Sequence, residues 1–132
     1  ILKKVDAASK PRSPGMKYKH YAPRAEVVIV EGEQNRVIEK IRQLVKEKQG
    51  QGFKVGVMAS EETARFYEAD CVLTVGSQQH PETIAAHLFY TLRAFDEKGV
   101  DVVYTQIIGT EGIGLAIRNR LQKAAGYNII KV

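Results

Sequence analysis

The 132-residue sequence predicts an α/β fold, a Rossmann-like three-layer sandwich with a mostly parallel five-stranded sheet and helices on both faces. Two observations predict it. Short apolar, β-branched runs alternate with stretches whose apolar residues recur at helical spacing, and the connections between them are short and marked by Gly or Pro. Each crossover between parallel strands deposits a helix on one side of the sheet, so such alternation yields a sheet covered on both faces.

The elements follow in order. Glu26 to Val30 reads as a first strand, and Arg36 to Lys48 then places Val37, Ile38, Ile41, Leu44 and Val45 on one helical face. Gly50 and Gly52 close that helix, Phe53 to Met58 supplies a second strand, and Glu61 to Tyr67 a short helix. Asp70 to Val75 is the third strand. Pro81, suited to a first helical turn, opens a helix with Ile84, Ala85, Leu88, Leu92 and Phe95 on one face, ending near Gly99. Val100 to Ile108 reads as a fourth strand. Gly112 to Ala125 reads as a fourth helix with Ile113, Ile117 and Leu121 at four-residue steps, and Asn128 to Val132 as a terminal strand. Strand order is not legible at this level; an order that reverses direction would open a crevice at the strands' carboxyl ends, where ligands bind in such folds.

Composition sets the bounds. The length suits one domain with a real core, and 44% apolar with 27% charged residues is ordinary for a globular protein. No apolar stretch approaches the ~20 residues of a membrane span, and no leader pattern stands at the amino end, so a cytoplasmic protein with no membrane partner is expected. The single Cys71 has no partner for an internal disulfide and lies in an apolar run expected to be a buried strand. His20, His80 and His87 are too scattered for a metal site, and none is expected. The chain starts at Ile1 rather than Met, which suggests a piece of a longer polypeptide.

Charge separates the chain into an arm, residues 1–24, and a globular part, residues 25–132. The arm holds Lys3, Lys4, Lys10, Arg12, Lys17, Lys19 and Arg24 against Asp6, a net +6, whereas the whole chain carries +5 and the remainder therefore −1. Within the arm, Ser13 to Pro23 reads Ser-Pro-Gly-Met-Lys-Tyr-Lys-His-Tyr-Ala-Pro. Pro14-Gly15 is a turn signal and Pro23 forbids a helix through the end of the run, so the segment is expected to be extended with its side chains available. Lysines alone would suit a solvated linker. Tyr18, His20 and Tyr21 at near-alternating positions point instead to contact with a partner, and an anionic one would meet this arm first.

The globular part offers little chemistry of its own. Gly109-Thr110-Glu111-Gly112-Ile113-Gly114 departs from the dinucleotide fingerprint in spacing and in place, and Glu111 would repel a pyrophosphate; it reads as a turn into a helix. Ser77 after Gly76 sits where a crevice residue that donates to an anion would sit, but a turn and helix approach explains it better. Glu61-Glu62 at a helix start, and Arg118, Arg120 and Lys123 toward a helix end, are what helix dipoles favour. No nucleophile, base and acid are spaced as a catalytic set.

The run Ser13 to Pro23 resembles the interdomain linker of the two-domain L-threonylcarbamoyladenylate synthases. Gly76-Ser77, Ile84-Ala85, Leu88-Phe89, Leu92-Arg93, Phe95-Asp96, Gly114-Leu115-Ala116 and Asn119-Arg120-Leu121 are similar to that family's C-terminal Rossmann-like domain, although Arg118 stands where the family favours an apolar residue. The resemblance implies a family that condenses threonine, bicarbonate and ATP into threonylcarbamoyl-AMP with release of pyrophosphate, for the modification of adenosine next to the anticodon of tRNA. It implies that catalysis, and most of the grip on ATP, belong to an N-terminal YrdC-like domain not included in this sequence. The fragment would then be an accessory domain without a cofactor of its own and inactive in isolation, its linker folding over the nucleotide. Lys17, Tyr18, His20 and Tyr21 are the residues that this resemblance places over ATP or threonylcarbamoyl-AMP, with tRNA an indirect partner. The alternative of a different class is a stand-alone RNA- or nucleotide-binding module using the basic arm and its rings.

Overall fold

A computed structural model describes residues 23–106 and 112–132. The elements are β1 (Glu26–Glu31), α1 (Gln34–Gly50), β2 (Val55–Ala59), a 3-10 turn (Ala64–Phe66), β3 (Cys71–Thr74), α2 (Pro81–Glu97), β4 (Val102–Gln106), α3 (Ile113–Ala124) and β5 (Ile129–Lys131). The five strands form one sheet in the order β3-β2-β4-β1-β5, and every pairing is parallel. Expected and observed elements coincide with shifts of a few residues at their ends; Ile107 and Ile108, expected to end the fourth strand, lie outside the described residues. The exception is the second of the four expected helices: Glu61 to Tyr67 winds only a three-residue 3-10 turn. Among the described residues, three α-helices therefore cover the sheet.

Strand order explains how they do so. The step from β1 to β2 passes β4 in one direction along the sheet, while β3 to β4 and β4 to β5 each pass one strand in the other direction. Crossovers of one hand that travel in opposite directions must lie on opposite faces. Accordingly, α1 packs Val37, Ile38, Ile41 and Val45 against Val28, Val30, Val55, Val57, Val102 and Tyr104. On the other face, Ile84, Leu88, Leu92 and Phe95 of α2 and Ile117 and Leu121 of α3 meet Val27, Ile29, Met58 and Val103. Alternate residues of one strand thus enter different cores, and each large aliphatic side chain removed from water contributes about 1.5–3 kcal/mol.

Local chemistry sets the boundaries. Glu33 caps α1 by accepting from the amides of Asn35 and Arg36, and Gly52 leaves the helix at φ +94°. Pro81 lies in the first turn of α2, where its missing N–H is not needed. Gly56 in β2 has a different reason: a Cβ there would lie 2.7 Å from two ring carbons of Phe95, so the missing side chain lets α2 approach the sheet. β3 is an edge strand, and this corrects the expectation for Cys71, which is half-buried rather than enclosed.

Candidate functional site

The directions of the crossovers reverse between β1 and β4, because the chain leaves β1 toward α1 on one face and β4 toward α3 on the other. Such a switch point is where a ligand crevice opens in doubly wound sheets. Here it is crossed by Arg118 of α3, whose guanidinium lies 3.5 Å from the Glu31 carboxylate at the end of β1. Arg118 therefore ties a helix to the sheet end, a role beyond a favourable place near the end of a helix dipole. The other oxygen of Glu31 is buried and has no hydrogen-bond partner among the described residues.

Polar groups beyond the ends of β2 and β3 satisfy one another. Glu62 accepts from the Ser77 hydroxyl and from the Gln78 amide at 2.9 Å, so it clasps the two loops together. The Gln78 side chain donates to Ser60 Oγ at 2.9 Å, and the Ser60 and Thr63 hydroxyls pair at 3.1 Å. The Thr105 hydroxyl turns away to the Met58 carbonyl at 2.8 Å. The hydrogen bond from Ser77 first, and that from the Gln78 amide next, hold the Glu62 carboxyl down at about 2. The paired acid Glu61-Glu62 is therefore more than a helix-start preference: Glu62 is a structural clasp. Ser77 is a turn residue, with its amide donating to Thr83 and its hydroxyl to Glu62. The cavity left between Ser60, Thr63, Tyr67 and Thr105 measures about 10 Å³, no more than one water needs.

Elsewhere, ionisable groups are tuned by the fold. Burial pushes the Tyr67 and Tyr104 hydroxyls up to about 12 and raises the Cys71 thiol. Asp70 accepts from the Val55 amide at 2.8 Å and the Gln49 side chain, which lower its carboxyl. No three His, Cys, Asp or Glu side chains cluster as a metal site among the described residues. The glycine-bearing turn before α3 lies partly outside the described residues; Gly112 at its end has φ +57°, the conformation that favours glycine.

At the opposite, amino edge of the sheet lies a groove of about 810 Å³, lined by Pro23, Arg24, Phe53, Asp96, Val100 and Gly126 among others. Pro23 and Arg24, the residues that lead into β1, lie along this groove. Asp96, in the last turn of α2, accepts from the Arg24 amide at 3.1 and 3.0 Å through its two oxygens and from the Ala25 amide at 3.0 Å. Below it, Asp101 accepts from the Lys54 amide at 2.7 Å, and the Lys48 ammonium lies 5.0 Å from the Phe53 ring centroid. Lys17, Tyr18, His20 and Tyr21, the residues singled out in the arm, lie outside the described residues, as does the expected extended course of the arm. Sequence reasoning gave no role to Asp96. A signal existed: an acid in the last turn of a helix opposes the dipole, and it needs donors from elsewhere.

Comparison with known proteins places this geometry. A family model described as the C-terminal domain of threonylcarbamoyl-AMP synthase matches residues 1–126. Threonylcarbamoyl-AMP synthases of Pyrococcus abyssi and Bacillus subtilis are each 47% identical, over 98% and 96% of this chain and 36% and 35% of their own lengths. The chain thus spans about a third of the length of the curated relatives it matches. A crystal structure of P. abyssi Sua5 complexed with L-threonine superposes with a TM-score of 0.77 at 47% identity, over 98% of this chain and 36% of that one. A variant of the same protein with alanines in place of an adjacent histidine and tyrosine gives 0.76 at 45% identity, over 98% and 35% of the two chains. A C-terminal Sua5 domain from Pyrococcus horikoshii, 45% identical, is covered completely and matches 84% of this chain with a TM-score of 0.68.

Proposed function

This chain belongs to the family of C-terminal domains of threonylcarbamoyl-AMP synthases, and we propose that it is the accessory part of such an enzyme, residues 25–132, joined to the interdomain linker, residues 1–24. In this reading an N-terminal YrdC-like domain makes threonylcarbamoyl-AMP from ATP, threonine and bicarbonate in the cytoplasm, for modification of tRNA. The fragment is inactive alone. Its linker lies over the nucleotide, with Lys17 meeting phosphate, and Tyr18, His20 and Tyr21 bonding phosphate or ribose and stacking. A closed arm excludes water from a hydrolysable mixed anhydride.

One observation carries this reading: a match along nearly the whole chain to relatives of which it spans only a third, joined to a globular part whose polar groups beyond the ends of β2 and β3 are taken up by one another. The P. abyssi variant replaces an adjacent His–Tyr pair, and this sequence contains one such dipeptide, His20-Tyr21, which supports attention to that pair. Replacing Tyr18 and Tyr21 with Ala in the full-length enzyme tests the lid. ATP-dependent pyrophosphate release should fall at least tenfold, as expected when groups that close over a reacting centre are removed. Unchanged turnover would sink the lid. Titration of the isolated chain with labelled tRNA addresses the other class of function: tight binding with a steep salt slope would favour an RNA-binding module, and weak binding the accessory role.

A further inference from the structure

We propose that Asp96 is the anchor of the arm, a positioning residue that fixes where the linker leaves this domain and thereby where its aromatic residues can reach. The inference rests on the lid reading above and adds to it the means by which a domain without a catalytic set of its own contributes to the chemistry.

The geometry starts from an anomaly. Asp96 is the penultimate residue of α2, followed by Glu97, and a carboxylate there faces the negative end of the helix dipole. Compensation comes from outside the helix. Two successive backbone N–H groups, those of Arg24 and Ala25, converge on the carboxylate in three contacts of 3.0 to 3.1 Å, across 71 to 72 residues of sequence. Successive amides converging on one anion form a directional grip, because both peptide planes must be turned toward it. Ala25 is buried, and the Glu26 amide is held by the Asp101 carbonyl at 3.0 Å, so the chain is constrained from Arg24 into β1. Pro23 precedes the grip and has a fixed φ. Three consecutive residues therefore have restricted backbones at the point where the arm ends. Phe95, the neighbour of Asp96, is fully buried against the bare backbone of Gly56, which keeps the anchor in register with the sheet. A short root of this kind sets the direction in which the chain passes from Pro23 into β1.

Trypsin reads the anchor directly. It cuts after Arg24 at the Arg24–Ala25 bond, whose N–H is one of the groups that Asp96 holds. In the 132-residue chain, Asp96→Ala should release the product beginning at Ala25 at least tenfold faster, since a lost charged hydrogen bond raises the locally open population by about that factor or more. Cleavage after Lys17 and Lys19 should keep its rate. Asp96→Asn, which keeps the shape and one acceptor, should fall between, and serves if the alanine variant fails to fold. In the full-length enzyme, both variants should raise the KM for ATP severalfold with the thermal midpoint of the accessory domain held within a few degrees. An unchanged rate of cleavage at Arg24 would overturn the anchor. Faster cleavage with unchanged kinetics, in an enzyme whose Tyr18 and Tyr21 replacement does lower turnover, would overturn the positioning role and leave the lid intact. Unchanged kinetics in the tyrosine variant as well would overturn the lid and this inference with it.

Discussion

Replacing Gly56 with Ala tests the packing that brings α2 onto the sheet. Gly56 lies in the interior of β2 with a backbone open to any residue, so the substitution brings only a methyl group. That methyl would sit 2.7 Å from Cδ1 and from Cε1 of Phe95 and 3.2 Å from Cγ1 of Val100. Carbon atoms in ordinary contact are about 3.5–4.0 Å apart, so the ring or the strand must move by about 1 Å. Phe95 is 0% exposed and has no open side to move into. Forcing a methyl into a packed core costs about 1–3 kcal/mol, while the reduced freedom of the unfolded chain returns about 0.4–1 kcal/mol. With two ring carbons at 2.7 Å the overpacking cost lies in the upper half of that range, so the net loss should be about 1–2.6 kcal/mol, seen as a lower urea midpoint at unchanged slope and a thermal midpoint lower by roughly 3–5 °C per kcal/mol. Phe95→Leu should relieve the clash, so the double variant should be more stable than the sum of the two single losses by at least about 0.5 kcal/mol. A Gly56→Ala protein as stable as the parent, or a strictly additive cycle, would refute the reasoning.

Two further predictions follow from the loops at the other end of the sheet. The Glu62 carboxyl is lowered from 4.5 to about 2 in the folded chain, so its contribution is complete above about pH 4.5 and lost as pH falls from there toward 2; urea midpoints of the parent and Glu62→Gln should therefore differ most above pH 5 and converge on acidification, and parallel profiles would count against the clasp. Gly76 has φ +141°, and a Cβ there would lie 2.6 Å from Thr83 Oγ1 and 2.8 Å from the Ile84 amide, so Gly76→Ala combines backbone strain of about 1–3 kcal/mol with a clash against main chain. It should lower the thermal midpoint more than Gly56→Ala does, and a smaller loss would mean that the Gly76–Ser77 turn can shift.

Much of the fold was legible because its determinants are local. Val37, Ile38, Ile41 and Val45 mark the buried face of α1 by spacing alone, and Pro81 and Gly99 punctuate α2 without reference to any other part of the chain. Glu61 to Tyr67 misled for the same reason. The residues suit a helix, but Glu62 is drawn across to Ser77 and Gln78, and only a single 3-10 turn remains. Cys71 misled because an apolar run looks the same on an edge strand as on a central one. Tyr18, His20 and Tyr21 of the arm lie outside the described residues, and its root was not legible, because Arg24 and Ala25 find Asp96 only across 71 to 72 residues of sequence.

By itself, then, the sequence determined the alternation of strands and helices, the separation of a basic arm from a nearly neutral domain, and the kinship that its linker run carries. These are properties of composition and short-range periodicity, which need no knowledge of what lies beside what. The tertiary structure alone decided the strand order β3-β2-β4-β1-β5, the use of Glu62 and Arg118 as ties, and the convergence of Arg24 and Ala25 on Asp96. Each of these joins groups far apart in the chain, and a carboxylate does not reveal its donors until folding has brought them within hydrogen-bond reach.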